Sequence, residues 1–400
     1  MTPMKSFRRL ALLPAMLACY LPLPAAAEIG VEHSGEVTLE ASWYPKTAAH
    51  AGQKDSFAHL EAKPELVIYG DEAEILLQPR ISGITSGGLV DFREANVTAR
   101  LGDADILIGS TIVFWGKAEG YNPVDVVNSR DFSRGLMRSE KRGAPMAWLS
   151  WPLGPGQLDL MAIDFVENEY PALSARERPG LRITGSKSYS GGAKRDDIAN
   201  AIRWSGYFGD VDLGLSWFRG TSHSPRLLTQ ADGTLKPDYS RITQAGLDIQ
   251  YLRGDTALKA EIIRRKGQYD RLGTARSYRA GVFGVEQNLY DIIGDGRDLV
   301  LLAEYARDSR KGLSHSGFQN DLNLGARWVW NDVEDTEVLG LLTRDLDNAA
   351  QTMTVSIHRR LTDDVIFEAS ARLLERYERD PNSTALSEDS AMIASVTYSF

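Results

Sequence analysis

The chain has 400 residues, with Lys+Arg 45 against Asp+Glu 54, a formal net charge of −9 and a pI near 5.3. Such an acidic balance argues against nucleic acid as a partner, because nucleic-acid binders carry a basic surplus. A mean hydropathy of −0.27 is too polar for a bundle of membrane helices, while hydrophobic and charged shares of 43% and 25% are those of a folded rather than a disordered chain.

Residues 1–27 read as a secretory signal. Lys5, Arg8 and Arg9 form a basic n-region, Leu10 to Leu23 an apolar stretch, and Ala25-Ala26-Ala27 a small-residue cleavage site before Glu28. Residues 28–400 are then one exported domain. Cys19 is the single cysteine and falls inside that signal. The expected mature chain therefore has no thiol for disulfides, nucleophilic catalysis or thiolate metal sites.

No later segment offers about 18 unbroken apolar residues, so no further membrane helix is expected. Alternation with period two recurs instead, as in Val37-Thr38-Leu39-Glu40-Ala41-Ser42-Trp43 and Val211-Asp212-Leu213-Gly214-Leu215-Ser216-Trp217. It predicts strands near 35–44, 57–69, 72–82, 89–101, 104–115, 146–152, 157–166, 197–208, 211–219, 241–253, 256–266, 277–289, 299–307, 319–331, 336–346, 351–361, 365–377 and 390–400. Tight joints such as Gly102-Asp103, Gly209-Asp210 and Gly254-Asp255 carry hairpin-turn chemistry and are interleaved with longer polar loops. Short turns at one end and long loops at the other describe an all-β transmembrane antiparallel up-and-down barrel of about 18 strands, within a range of 16–20. The Trp residues sort towards strand ends, with Trp43, Trp115 and Trp217 expected on the long-loop side and Trp151, Trp204, Trp328 and Trp330 on the short-turn side, as paired interface girdles would require.

The segment ending in Phe400, with Tyr398, Val396, Ala394 and Met392 alternating before it, resembles the C-terminal strand by which Gram-negative outer-membrane barrels are recognised for assembly. The stretch Trp115-Gly116-Lys117-Ala118-Glu119-Gly120-Tyr121-Asn122-Pro123-Val124-Asp125 is similar to a W-G-K-A-[DE]-G-x-N-P-x-D segment in a group of porin-like outer-membrane proteins of unestablished function. The resemblance implies an outer-membrane location and the assembly machinery and lipid as partners. In general porins, which the arrangement resembles, the third outer loop folds into the barrel and narrows the pore. Here that loop spans about Gly116 to Ala144.

On that reading Lys117, Glu119, Asp125, Arg130, Asp131, Arg134 and Arg138 are candidate constriction residues, and the local basic surplus favours anionic solutes. Strand parity places Lys63, Arg80, Arg100, Arg203, Arg327 and Arg372 on the inner wall, since Lys or Arg facing lipid near the midplane costs roughly 2–4 kcal/mol. The histidines are scattered, and the Ser neighbours of His223 and His315 do not by adjacency make a catalytic pair. No catalytic residues, cofactor or metal site are expected. The sequence thus points to passive passage of small hydrophilic solutes. Export or assembly of a polysaccharide or lipid is the alternative, and homo-oligomerisation is left open.

Overall fold

The alternating segments fold as strands of a closed sheet. The computed structural model describes residues 29–84, 87–380 and 383–400; the leader expected at 1–27, with Cys19, lies outside the described residues. Eighteen antiparallel strands form the barrel: β1 (Gly30–Trp43), β2 (Ser56–Tyr69), β3 (Ala73–Ile84), β4 (Gly87–Leu101), β5 (Ala104–Thr111), β6 (Ala144–Leu153), β7 (Gly156–Asp164), β8 (Ile198–Phe208), β9 (Val211–Thr221), β10 (Leu235–Arg253), β11 (Thr256–Lys266), β12 (Tyr278–Leu289), β13 (Asp298–Asp308), β14 (Asn320–Val329), β15 (Glu337–Asp345), β16 (Gln351–Thr362), β17 (Val365–Glu375) and β18 (Ala391–Ser399). Each pairs with the next, and β18 returns to β1 with Glu36 opposite Ser399 and Trp43 opposite Met392. Phe400 and Gly35 then exchange both backbone hydrogen bonds at 3.0 Å. A sheet closed in this way has no unpaired edge.

All the expected strands are present, and three boundaries move by four residues or more, the first being that of β1, which begins at Gly30 ahead of the expected 35. β10 begins at Leu235, ahead of the expected 241, because its first residues pair with the short strands Arg226–Thr229 and Ser188–Ser190. The strand expected at 104–115 stops at Thr111. There the side chain of Asn128 replaces the ladder: its Oδ1 accepts from the Val113 N–H at 2.8 Å, and its Nδ2 donates to the Thr111 and Arg142 carbonyls. Trp115 consequently leaves the wall and is buried inside, 4% exposed, so it is no part of an interface girdle. Trp43, Trp151 and Trp217 do stand exposed on the outer face near strand ends.

Away from the strand ends the outward positions are mostly apolar, among them Leu39, Ile81, Ile202, Leu215, Ile262, Phe283 and Leu301. This is the lipid-facing band of a membrane barrel. At one end the turns are tight, and Gly254 takes the left-handed φ of +57° that such a turn requires. At the other end the long segments 112–143 and 165–197 leave the wall.

The interior is of two kinds. On β6–β12 several inward positions are apolar (Met146, Met161, Ile163, Ala201, Phe218, Ile242 and Ile263), and with Val113, Trp115, Val124, Val126 and Val127 of the long segment they form one buried cluster. Elsewhere the inward face carries paired charges, such as Arg80 of β3 with Asp91 of β4 at 2.8 Å.

Candidate functional site

Residues 112–143 connect β5 to β6 and run through the barrel interior. Two wall carboxylates receive them. Glu261 of β11 accepts the backbone N–H groups of Lys117 at 2.6 Å and Ala118 at 3.0 Å with one oxygen, and that of Val124 at 3.4 Å with the other. Glu304 of β13 accepts those of Glu119 at 2.7 Å and Gly120 at 2.8 Å. In a ring of eighteen strands β13 stands nearly opposite β5, so the segment crosses the lumen.

The glycines of the motif are explained by this crossing. A Cβ on Gly116, whose φ is +116°, would meet Glu261 Oε1 at 2.5 Å, and one on Gly120 would meet Asn323 Nδ2 at 2.5 Å and Glu304 Oε2 at 3.0 Å. Only residues without a side chain let backbone press this closely onto the carboxylates. Below this contact the Val124 carbonyl accepts from Gln244 Nε2 at 3.0 Å, and Val124 and Val127 are fully buried in the apolar cluster.

Six of the seven expected constriction residues are engaged in ion pairs. Lys117 pairs with Asp212 of β9, and Glu119 with Lys259 of β11 at 3.1 Å. Asp125 pairs with Lys141 at 2.6 Å, Asp131 with Arg80 at 3.0 Å, Arg134 with Glu140, and Arg138 with Glu40 at 2.8 Å. Burial raises the Asp125 carboxyl and lowers the Lys141 ammonium, and their mutual attraction opposes both shifts. Burial alone would lower the Arg138 guanidinium, but the charges of Glu177 and Glu40 and the hydrogen bond to Glu40 raise it. Arg130 differs: it is exposed, its Nη1 donates to Ser139 Oγ at 3.1 Å, and it has no carboxylate partner among the described residues.

The expected wall cations divide by depth. Lys63 pairs with Glu61 at 2.6 Å, Arg80 forks onto Asp91, Arg203 onto Asp248, and Arg372 meets Glu177. Arg100 and Arg327 stand near the short-turn end, largely exposed, with looser partners in Asp105 at 3.5 Å and Glu337 at 3.9 Å.

A second inward segment was not legible in the sequence. Residues 165–197 bring Arg176 and Glu177 into complete burial. Arg176 bonds Asp389 at 2.8 Å and Asp55 at 2.7 Å, and Glu177 accepts from Tyr44 Oη at 2.8 Å. Burial and the Glu177 charge push the Tyr44 phenol well above its usual range. A charged triplet before Pro179-Gly180 reads as a solvated loop, and nothing local in it signals partners as distant in sequence as Tyr44 and Asp389.

His223 serves packing. Its ring stacks on Phe165 with centroids 5.0 Å apart, and Nε2 lies 3.0 Å from the Val127 carbonyl. Among the described residues no histidine nitrogen is hydrogen-bonded to a serine hydroxyl, including those beside His223 and His315.

No protein-family model matches this chain, and no curated protein is similar to it. Solved structures share the fold over nearly its whole length. Pseudomonas aeruginosa OccK11 (OpdR) superposes with a TM-score of 0.53 at 9% identity, covering 92% of this chain and 96% of that one. Pseudomonas aeruginosa OccK2 (OpdF), in complex with glucuronate, gives 0.52 at 12% identity, covering 92% and 97%. A mutant of Rh. blastica porin aligns over 93% of this chain with a TM-score of 0.44. The class is therefore a closed eighteen-stranded antiparallel barrel of porin type, and at these identities the likeness is one of fold.

Proposed function

We propose that this chain is an outer-membrane channel for small hydrophilic solutes, its pore narrowed by residues 112–143. The observation that carries the reading is the double anchoring of the motif backbone on Glu261 and Glu304, far round the wall from β5. A barrel of this width cannot fill its interior with wall side chains alone. The loop takes up part of that space and leaves a passage beside it. The glucuronate held by OccK2 is an example of a small hydrophilic solute in a barrel of this fold.

The preference for anions suggested by the loop's basic surplus narrows to Arg130, because Lys117, Arg134 and Arg138 each face a carboxylate. Paired charges contribute little net field to a passing ion. Reversal potentials across a salt gradient in planar bilayers test both levels. The wild type is expected to conduct with mild anion selectivity, and Arg130→Gln is expected to remove most of it, most visibly at low salt. A closed wild-type barrel would instead favour an export component awaiting its partner, and an unchanged Arg130→Gln variant would remove the anion reading.

A further inference from the structure

The outward face of the barrel is uneven at its long-loop end. Arg219 on β9, Arg264 and Lys266 on β11, Arg279 on β12 and Arg344 on β15 all lie within three residues of that end and are exposed. Each alternates with a buried inward neighbour: Phe218, Ile263, Arg265, Tyr278 and Asp345. None of the five has a carboxylate partner among the described residues. Arg264 and Arg279 even stand directly opposite each other in the ladder, a like-charge pairing that ordinarily destabilises a sheet. Arg307 on β13 extends the same outer row.

Around the remaining rim, on β16–β18 and β1–β8, the last two outward positions of each strand hold no Lys or Arg among the described residues. They are residues such as Trp43, Ile81, Ile198, Met353 and Met392. The inside offers a second contrast, since four of the buried arginines there, Arg80, Arg176, Arg203 and Arg372, are matched by acids. Unmatched cations on outward strand positions, confined to one arc directly above an apolar band that includes Ile262, Phe283 and Leu301, call for an anion at the height of the lipid headgroups. A second copy of the chain does not supply it: the opposite arc is apolar, and two basic arcs repel.

We propose that the outer rim from β9 to β15 binds the phosphate groups of an anionic lipid and holds that lipid against this side of the barrel. Guanidinium groups suit this task because they grip phosphate oxygens two at a time. Each cation near a charged membrane surface adds to the attraction, and the effect falls off with salt. The inference rests on the membrane-barrel reading and is independent of what passes through the pore.

The test titrates the detergent-purified full chain with diphosphoryl lipid A, and with the same lipid after phosphatase treatment, reading bound lipid by native mass spectrometry. The variant is Arg219→Gln/Arg264→Gln/Lys266→Gln/Arg279→Gln/Arg344→Gln, with Arg264→Gln/Lys266→Gln/Arg279→Gln as the smaller change should the first fail to assemble. Wild type is expected to bind the phosphorylated lipid at least tenfold more tightly than the variant, and both are expected to bind the dephosphorylated lipid alike. Equal affinity of wild type and variant would overturn the proposal. So would an altered oligomeric state with unchanged lipid binding, which would give the rim to a protein partner. Bilayer conductance of the same samples is expected to be equal, because these side chains face away from the lumen. Loss of conductance in both with lipid binding intact would count against the channel reading alone.

Discussion

Glu261 receives three backbone N–H groups of the loop, and in Glu261→Ala these lose their acceptor within a partly dry interior. Each buried donor left unmet costs about 1–3 kcal/mol. The loop should therefore come off the wall while the barrel stays closed: limited proteolysis is expected to cut between residues 116 and 125 in this variant and not in wild type, with heat-modifiable migration retained by both. Resistance equal to wild type would show that the carboxylate is not the anchor. His223 adds a dependence on pH. Burial pushes its pKa down to about 4, below the value near 6.5 of an unfolded histidine. A depressed histidine favours the neutral form, so its contribution is complete above about pH 6.5 and is lost as the pH falls towards 4. Proteolysis of the loop should rise across that window in wild type. In His223→Gln, which keeps an N–H donor but does not titrate there, it should rise less; identical profiles would exclude the histidine.

The strands were legible because a membrane wall enforces two unlike faces, and the period of two follows from the pleat. Where the inner face meets the folded loop instead of water, both faces become apolar and the alternation fades, as in Trp217-Phe218, Ile262-Ile263 and Leu160-Met161-Ala162-Ile163. Those runs were the available sign that something packs inside β6–β12. The expectation for Trp115 failed for a related reason: Val113-Phe114-Trp115 continues the pattern of β5, and only the distant Asn128 ends the ladder. Trp115→Ala removes a large buried ring from the loop cluster at a cost of about 3–5 kcal/mol. Channels of this variant are expected to show larger and noisier openings than wild type in single-channel records, and unchanged traces would mean that the cluster does not hold the loop. At the seam, deletion of Phe400 removes the residue that exchanges two hydrogen bonds with Gly35. Outer-membrane yield should fall severalfold, measured by fractionation against a barrel of unrelated sequence; normal yield would remove Phe400 from the closing step.

Eighteen strands enclose more space than their own side chains can occupy, and the segments 112–143 and 165–197 enter that space, the first packing its apolar residues against β6–β12. The site was legible as a location and not as a mechanism: the third long loop was marked by its glycines and charges, whereas the carboxylates that hold it sit on β11 and β13, far away in sequence. The charges themselves were read as candidates to line the constriction and are mostly paired, since a loop composition shows which ions are present and not which wall residues face them. On the proposed reading the docked loop sets the bore of the channel. Single-channel conductance of wild type beside Glu261→Ala/Glu304→Ala, with neutral polymers of graded size used to gauge the bore, tests it most directly. A conducting wild type is expected, and a variant with severalfold higher conductance that admits larger polymers. Equal conductance and equal polymer exclusion, in a variant whose loop proteolysis proves it released, would contradict it.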